Sequence, residues 1–250
     1  MQLPTSFVPW AKIWILQTAE IEKVKGVEKI MSEQHIREEL TKYARRAVAQ
    51  GLVVGPGGNL SARSEGTMLL SPSGYALEDL EPDEWIAIDI ATGETRAGST
   101  RPSSEVLMHL YSYRVNPDIQ AIVHTHPAYT IALSLVFDEL PHLFPDQSAL
   151  VGDIGFVPYV LPTTKLLADA VAAKVEEHTA LILVNHGLVT TGKNLREAYY
   201  RTQVVEESAK VYMIAKAAGE PKVLTAEEYK EIQSLESEAY RVQLLQQLKS

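Results

Sequence analysis

Apolar residues recur at three- and four-residue steps between Ser32 and Gln50. Ile36, Leu40, Tyr43, Ala44 and Ala47 fall on one face of a 3.6-period helix. Ser32 suits its N-cap and Gly51 its termination. The pattern then shortens to that of strands, at Leu60–Arg63, Met68–Leu70 and Trp85–Ile90, with a hairpin turn at Ala91-Thr92-Gly93-Glu94. Val106, Leu107 and Leu110 mark the buried stripe of a helix opened by Ser103 or Ser104 and closed by Asn116-Pro117-Asp118. Ala121–His126 reads as a strand stopped by Pro127, with a short helix to about Leu135 behind it. The stretch from Val136 to Gly155 reads mostly as loop, Phe156–Leu161 as a strand and Leu166–Glu177 as a helix. Ala180–Val184 is a buried strand running into Asn185-His186-Gly187, and Thr190-Thr191-Gly192 reads as a turn. A long helix over Leu195–Ala218 ends at Gly219 and Pro221, and a capping box at Thr225–Glu228 opens a last helix running nearly to Ser250.

No repeat or linker interrupts the pattern after residue 31, which predicts one domain over residues 31–250. Residues 1–30 read as an extension or an upstream start, with a docking arm as the alternative. Their apolar patch, Phe7–Leu16, lacks the flanks of a signal peptide. A hydrophobic fraction of 46% over 250 residues is enough for a substantial core. The formal charge of -9 argues against a nucleic-acid partner, and no apolar run approaches the ~20 residues of a membrane span. With no cysteine in the chain, disulfides and thiolate metal sites are excluded. That usage fits a reducing cytosol, and a cytoplasmic location is the expectation. Any transition metal must be held by His, Asp or Glu.

The chemistry-bearing residues cluster at element ends. His124 and His126, two apart on a strand, share a face, as two imidazole ligands of one metal must; the plainer reading is a polar strand rim. His186 repeats the arrangement, either as a core histidine or as a ligand with Gly187 making room beside it. Gly55-Pro56-Gly57-Gly58-Asn59 is a tight hairpin connection or a backbone cradle for an anion. Ser71-Pro72-Ser73-Gly74 and the hydroxyls of Ser103 and Ser104 offer two more such loops. Glu105 either complements a helix dipole or supplies a carboxylate to the histidines. Three imidazoles and one carboxylate suit zinc with a displaceable position, a Lewis acid beside a group able to move a proton.

Five pieces taken together resemble the class II aldolase/adducin family: Gly57-Gly58-Asn59-Leu60-Ser61, Ser71-Pro72-Ser73-Gly74, Pro102-Ser103-Ser104-Glu105, His124-Thr125-His126-Pro127 and Asn185-His186-Gly187. The resemblance spans residues 31 to 250. It implies a single three-layer α/β domain, its central, largely antiparallel sheet covered by helices. It implies zinc on His124, His126 and His186, and Glu105 as both a metal neighbour and the catalytic acid/base. Gly58, Asn59, Ser73, Gly74, Ser103 and Ser104 match the family's phosphate-binding positions. It implies a homotetramer with active sites at subunit interfaces. One feature departs from the pattern. The fuculose-phosphate aldolases carry a tyrosine after the His-x-His motif, where this chain reads Pro141-His142-Leu143-Phe144-Pro145-Asp146-Gln147. Asp146 or His142 then stands as a substitute proton donor or as a polar loop residue, and Tyr240 matches a C-terminal family tyrosine or packs a helix.

The resemblance therefore implies a zinc-dependent aldolase of a sugar phosphate, working through a stabilised enediolate, with an L-fuculose-1-phosphate-like substrate. Decarboxylation of a hydroxylated aromatic acid, 4-epimerisation of a pentulose phosphate and dehydration are alternatives within the same fold. A non-catalytic adducin-like role is disfavoured by retention of all three histidines and Glu105.

Overall fold

Strand alternation sorts each residue to one of two helical layers. In β5 (Ala121–Thr125), Ala121 and Val123 join one apolar cluster and Ile122 the opposite one. In the computed structural model, residues 33–98 and 100–247 are described. The extension expected over residues 1–30 and the expected Ser32 cap lie outside them.

The predicted first helix, α1, spans 33–49 and stops before Gly51, whose φ of 69° is a left-handed turn. β1 (Asn59–Ser64), β2 (Thr67–Leu70), β3 (Ile86–Asp89) and β4 (Thr95–Ala97) form a meander. α2 (Val106–Val115) leads to β5, followed by α3 (Ala128–Ser134), α4 (Pro145–Leu150), β6 (Gly155–Val157) and α5 (Lys165–Ala172). β7 (Ala180–Leu183), β8 (Gly187–Gly192), α6 (Leu195–Ala218), α7 (Ala226–Ser234) and α8 (Glu236–Gln247) complete the chain. One sheet of 8 strands results, in the order β4-β3-β2-β1-β5-β8-β7-β6. Every neighbouring pair is antiparallel except β6–β7.

Leu40, Tyr43, Ala44 and Ala47 of α1 pack with Leu195, Ala198 and Tyr199 of α6 on Leu60, Ala62 and Val123. Met108, Leu110 and Tyr113 of α2 and Leu167 and Val171 of α5 cover the other face through Ile122, Leu181 and Val189. α3 and the later turns of α6 extend the first layer over β7 and β8, through Leu133, Val205 and Ala209. This is the expected three-layer domain with a largely antiparallel sheet. Among the described residues, no helix is long and apolar enough to cross a membrane.

Several boundaries differ from the sequence expectation. Thr190, Thr191 and Gly192 belong to β8 rather than to a turn. The buried Thr190 hydroxyl bonds Thr202 Oγ1 at 2.7 Å and the Ala198 carbonyl at 2.8 Å, so its polarity is satisfied inside the fold. The final helix breaks at Leu235, which is extended (φ -66°, ψ 123°) and lets α7 and α8 turn separately toward α4. The predicted Thr225–Glu228 capping box is present. The segment expected to be loop contains α4, and both α5 and β6 are shorter than expected.

Candidate metal centre

The centre starts at the end of β5, the strand that joins the meander to β8. His124 shares the face of Ile122 and is fully buried opposite Asn59 of β1. The strand stops at Thr125, but the amide of His126 donates to the Leu52 carbonyl at 3.1 Å. That bond keeps the chain extended for one more residue, so the two imidazoles come together, ring centroids 4.8 Å apart. His186 sits in the tight link between β7 and β8. Its amide donates to Leu183 O at 3.0 Å, and Asn185 takes the left-handed φ of 60° that asparagine tolerates. Gly187 is the residue that allows the approach. A Cβ there would lie 2.4 Å from Thr125 O and 2.8 Å from His126 Cδ2.

Glu105 arrives from the other layer. It stands at the N-cap position of α2, with φ -96° and ψ 18°, where a serine was expected. Its amide instead donates to Ser103 Oγ at 3.3 Å. Glu105 Oε2 lies 3.0 Å from His124 Nε2, and Oε1 lies 3.5 Å from His186 Nε2. One donor atom from each of Glu105, His124, His126 and His186 falls within 4.8 Å of the others.

This donor set fits a metal cation. His124 Nδ1 donates to the Leu188 carbonyl at 3.0 Å, which leaves its Nε2 with a bare lone pair. That lone pair faces the Glu105 carboxylate and, at 3.0 Å, the Nε2 of His126. Lone pairs converging in a buried space repel unless a cation lies among them. Glu105 Oε1 is also buried without a hydrogen-bond partner.

Electrostatics point the same way. Burial pushes the Glu105 carboxyl up, but the charge and hydrogen bond of His124, the Asn59 amide and His186 together hold it below the usual carboxylate range. Burial and the neighbouring His124 charge pull His126 and His186 down to about 4. Both therefore offer neutral lone pairs near pH 7. His124 alone moves up, burial being outweighed by the carboxylate beside it, so without metal a proton on its Nε2 is favoured in the place a cation would otherwise take.

The three small-residue loops lie against this cluster. Gly58 has a φ of 69°, and a Cβ on it would meet Val53 Cγ1 at 2.6 Å and His124 O at 2.8 Å. Ser73 N donates to Arg101 O at 2.9 Å and Ser103 N to Ser71 O at 3.0 Å, which splices the second loop to the one carrying Glu105. Ser73, Gly74 and Ser104 are exposed, while Ser103 is buried.

A family model described as the Class II Aldolase and Adducin N-terminal domain matches residues 38–213. The chain belongs to that family. A 5-deoxy-D-ribulose 1-phosphate aldolase from Bacillus thuringiensis serovar kurstaki is 34% identical over 197 residues, 78% of this chain and 92% of the relative. A 3-oxo-tetronate 4-phosphate decarboxylase from Pectobacterium atrosepticum is 35% identical over 211 residues, 81% of this chain and 94% of the relative. Among solved structures, an L-fuculose 1-phosphate aldolase superposes with a TM-score of 0.74 at 35% identity, over 79% of this chain and 94% of that one.

Two expected catalytic residues stand apart from the cluster. Asp146, in the first turn of α4, forms an exposed ion pair with Arg241 of α8 at 2.7 Å. Tyr240 is 61% exposed on α8. His142, the other substitute weighed for the missing tyrosine, pairs with Asp153 at 2.9 Å and stacks on Tyr229. Asn59 reaches the cluster in an unexpected way. Its side chain is spent inside the protein, Nδ2 donating to Glu105 Oε2 at 2.9 Å and Oδ1 lying 2.6 Å from His109 Nε2. His109 escaped the sequence reading, although Glu105, His109 and Tyr113 recur at the four-residue step of one helix face.

Proposed function

We propose that this chain is a zinc-dependent class II aldolase acting on a sugar phosphate of the L-fuculose-1-phosphate or 5-deoxy-D-ribulose-1-phosphate kind. The observation that carries the reading is the convergence of Glu105, His124, His126 and His186 within 4.8 Å, beside spliced loops of glycine and serine. Gly58, Ser73, Gly74, Ser103 and Ser104 hold the phosphate through backbone N–H and hydroxyl groups, with Asn59 supporting from behind. A zinc ion held by His124, His126 and His186 supplies a Lewis acid for charge developing on substrate oxygens.

Glu105 carries the proton. Its Oε1 takes the proton from the hydroxyl whose carbon–carbon bond then breaks, so that an aldehyde leaves. The bonding electrons stay on the carbon beside the ketone, and Oε1 returns the proton there. In a homotetramer, exposed Tyr240 and Asp146 serve a neighbour's site, Asp146 taking the place of the missing tyrosine. A cytoplasmic setting fits this chemistry and the absence of cysteine.

The test is a panel of ketose 1-phosphates assayed for dihydroxyacetone phosphate, before and after chelation. Release that stops with chelator and returns with zinc supports the reading. Undiminished turnover in metal-stripped protein would sink it.

A second reading follows from the decarboxylase relative and the absence of tyrosine from Pro141–Gln147. Loss of carbon dioxide from a 3-oxo acid leaves the same electron pair beside a ketone. It asks Glu105 only to deliver a proton, with no hydroxyl to deprotonate. That relative's name points to a phosphorylated oxo acid, and the exposed anion loops favour such a substrate over an aromatic acid. Carbon dioxide release from 3-oxo-tetronate 4-phosphate, without aldolase activity, selects this reading. Epimerisation and dehydration belong in the same panel.

A further inference from the structure

Behind Glu105 runs a chain of buried polar groups that no metal or phosphate contact explains. β1 contributes Asn59 and Ser61, two apart on the face toward α2, and α2 contributes Glu105, His109 and Tyr113, four apart on the face toward β1. Tyr113 Oη lies 2.9 Å from Ser61 Oγ, Ser61 Oγ 2.7 Å from His109 Nδ1, and His109 Nε2 2.6 Å from Asn59 Oδ1. Asn59 Nδ2 then donates to Glu105 Oε2 at 2.9 Å. His109 and Ser61 have no solvent exposure, and Asn59 and Tyr113 almost none.

The ends of this chain fix its direction. A carboxylate only accepts, so the Asn59 amide must turn its NH2 to Glu105 and its carbonyl to His109. His109 must then donate from Nε2. Its Nδ1 is an acceptor and takes the Ser61 hydroxyl proton, and Ser61 in turn accepts from Tyr113. Burial pulls His109 down to about 3, so the ring is neutral and the single tautomer persists at working pH.

We infer that His109 is a positioning residue for Glu105: by locking the Asn59 amide in one orientation it ties up Oε2 and leaves Oε1 as the oxygen that exchanges protons with substrate. With an apolar side chain in place of His109, the Asn59 carbonyl loses its buried donor and the amide can tilt away from the carboxylate. Glu105 then loses its fixed acceptor bond and its aim. This rests on the aldolase reading for the identity of the proton transfer, but its structural content does not.

The experiment uses the zinc-loaded full chain and two substitutions of similar size. His109→Leu fills the space without a donor. His109→Gln keeps an amide N–H toward Asn59 and a carbonyl toward Ser61. Expected for His109→Leu is a loss of about 10–100-fold in zinc affinity by chelator competition, with kcat down by a similar factor and KM nearly unchanged. His109→Gln should recover most of both. A purely structural role would instead lower the urea midpoints of the variants while leaving zinc affinity and kcat of the folded protein at the parental level.

Tyr113→Phe, which removes only the outermost hydroxyl, should cost about 3–10-fold in kcat and guards against misfolding of the histidine variants. Nitrogen-15 NMR of the parent should find His109 as the Nε2–H tautomer near pH 7. An Nδ1–H tautomer, or a folded His109→Leu with parental zinc affinity and kcat, overturns the inference. If the parent cleaves no sugar phosphate, the proposed function fails while the tautomer and zinc-affinity measurements still decide this one.

Discussion

Gly187 and the histidines show how little slack the centre has. A methyl on Gly187 would lie 2.4 Å from a backbone oxygen and 2.8 Å from the His126 ring, so the end of β5 and the ring would both have to shift. Gly187→Ala should therefore fold with reduced stability and lose metal affinity by at least about tenfold through displacement of His126. Titration with zinc against a competing dye checks it, and parental affinity contradicts it. Protonation acts on the same residues. Unfolded imidazoles take up protons below 6.5, whereas folded His126 and His186 resist until about 4, and His109 until about 3. Across that window the unfolded state binds more protons, so stability of the metal-free protein falls as pH drops from 6.5 toward 4. Glu105, held below the usual carboxylate range, adds to the loss at the acid end. His124, shifted upward, adds its stability as pH falls through its raised folded value to 6.5 and contributes no further change below that. Urea midpoints of chelated protein measured from neutral to mildly acid pH should decline, and a flat series would contradict this assignment. The clustering of His124 and His126 was readable in sequence because strand alternation alone places them together. The Asn59–His109 contact was not, because it depends on which face of α2 meets β1.

At the scale of elements, α3 begins directly behind His126 and has Pro127 at its N-cap, a residue with no side chain to accept a hydrogen bond. α6 supplies the acceptor instead. Glu206 takes the Tyr129 amide at 2.9 Å and both the amide and hydroxyl of Thr130 at 2.8 Å. Charged acceptors of this kind contribute more than neutral ones, so Glu206→Ala should destabilise the fold by roughly 1.5–3 kcal/mol. Glu206→Gln, which keeps one accepting oxygen, should cost about half as much in chemical denaturation; equal stability of all three proteins would show that solvent caps α3 unaided. Elements with a clear period or firm stops were legible from sequence: α1, β1, β2 and β5 lie where the apolar pattern puts them, and α3 and α6 where their flanking prolines and glycine do. The failures were local conflicts. Thr190-Thr191-Gly192 looks like a turn by composition, yet the Thr190 hydroxyl finds buried partners in α6 and β8 runs through it. The C-terminal helix has no glycine or proline to announce its break at Leu235. The break serves tertiary contacts instead, among them Gln233 donating to Ser148 O at 2.7 Å and Tyr229 stacked on His142.

For the molecule as a whole, the four clustered residues are drawn from parts that lie far apart in sequence. His124 and His126 end a strand near the middle of the sheet, His186 hangs from the β7–β8 link, and Glu105 heads a helix in the opposite layer. A cation held by the three histidines beside Glu105 would act as a clamp that exists only in the folded chain. Its binding energy is folding energy. At metal concentrations about 100 times the dissociation constant the linkage amounts to about 2.7 kcal/mol. For a domain of this size each kcal/mol corresponds to about 2–4 °C, so chelation should lower the melting temperature by roughly 5–10 °C. The loss should be uneven. β2 and β3 carry none of the four residues and are anchored through Met68, Leu70, Ile86 and Ile88 in the apolar layer shared with α2 and α5. Hydrogen exchange in chelated protein should therefore quicken at the start of α2, the end of β5 and residues 184–187, while β2 and β3 keep their protection. Identical melting and exchange with and without chelator would mean that the four residues hold no metal, and the lyase chemistry proposed for them would have to be abandoned.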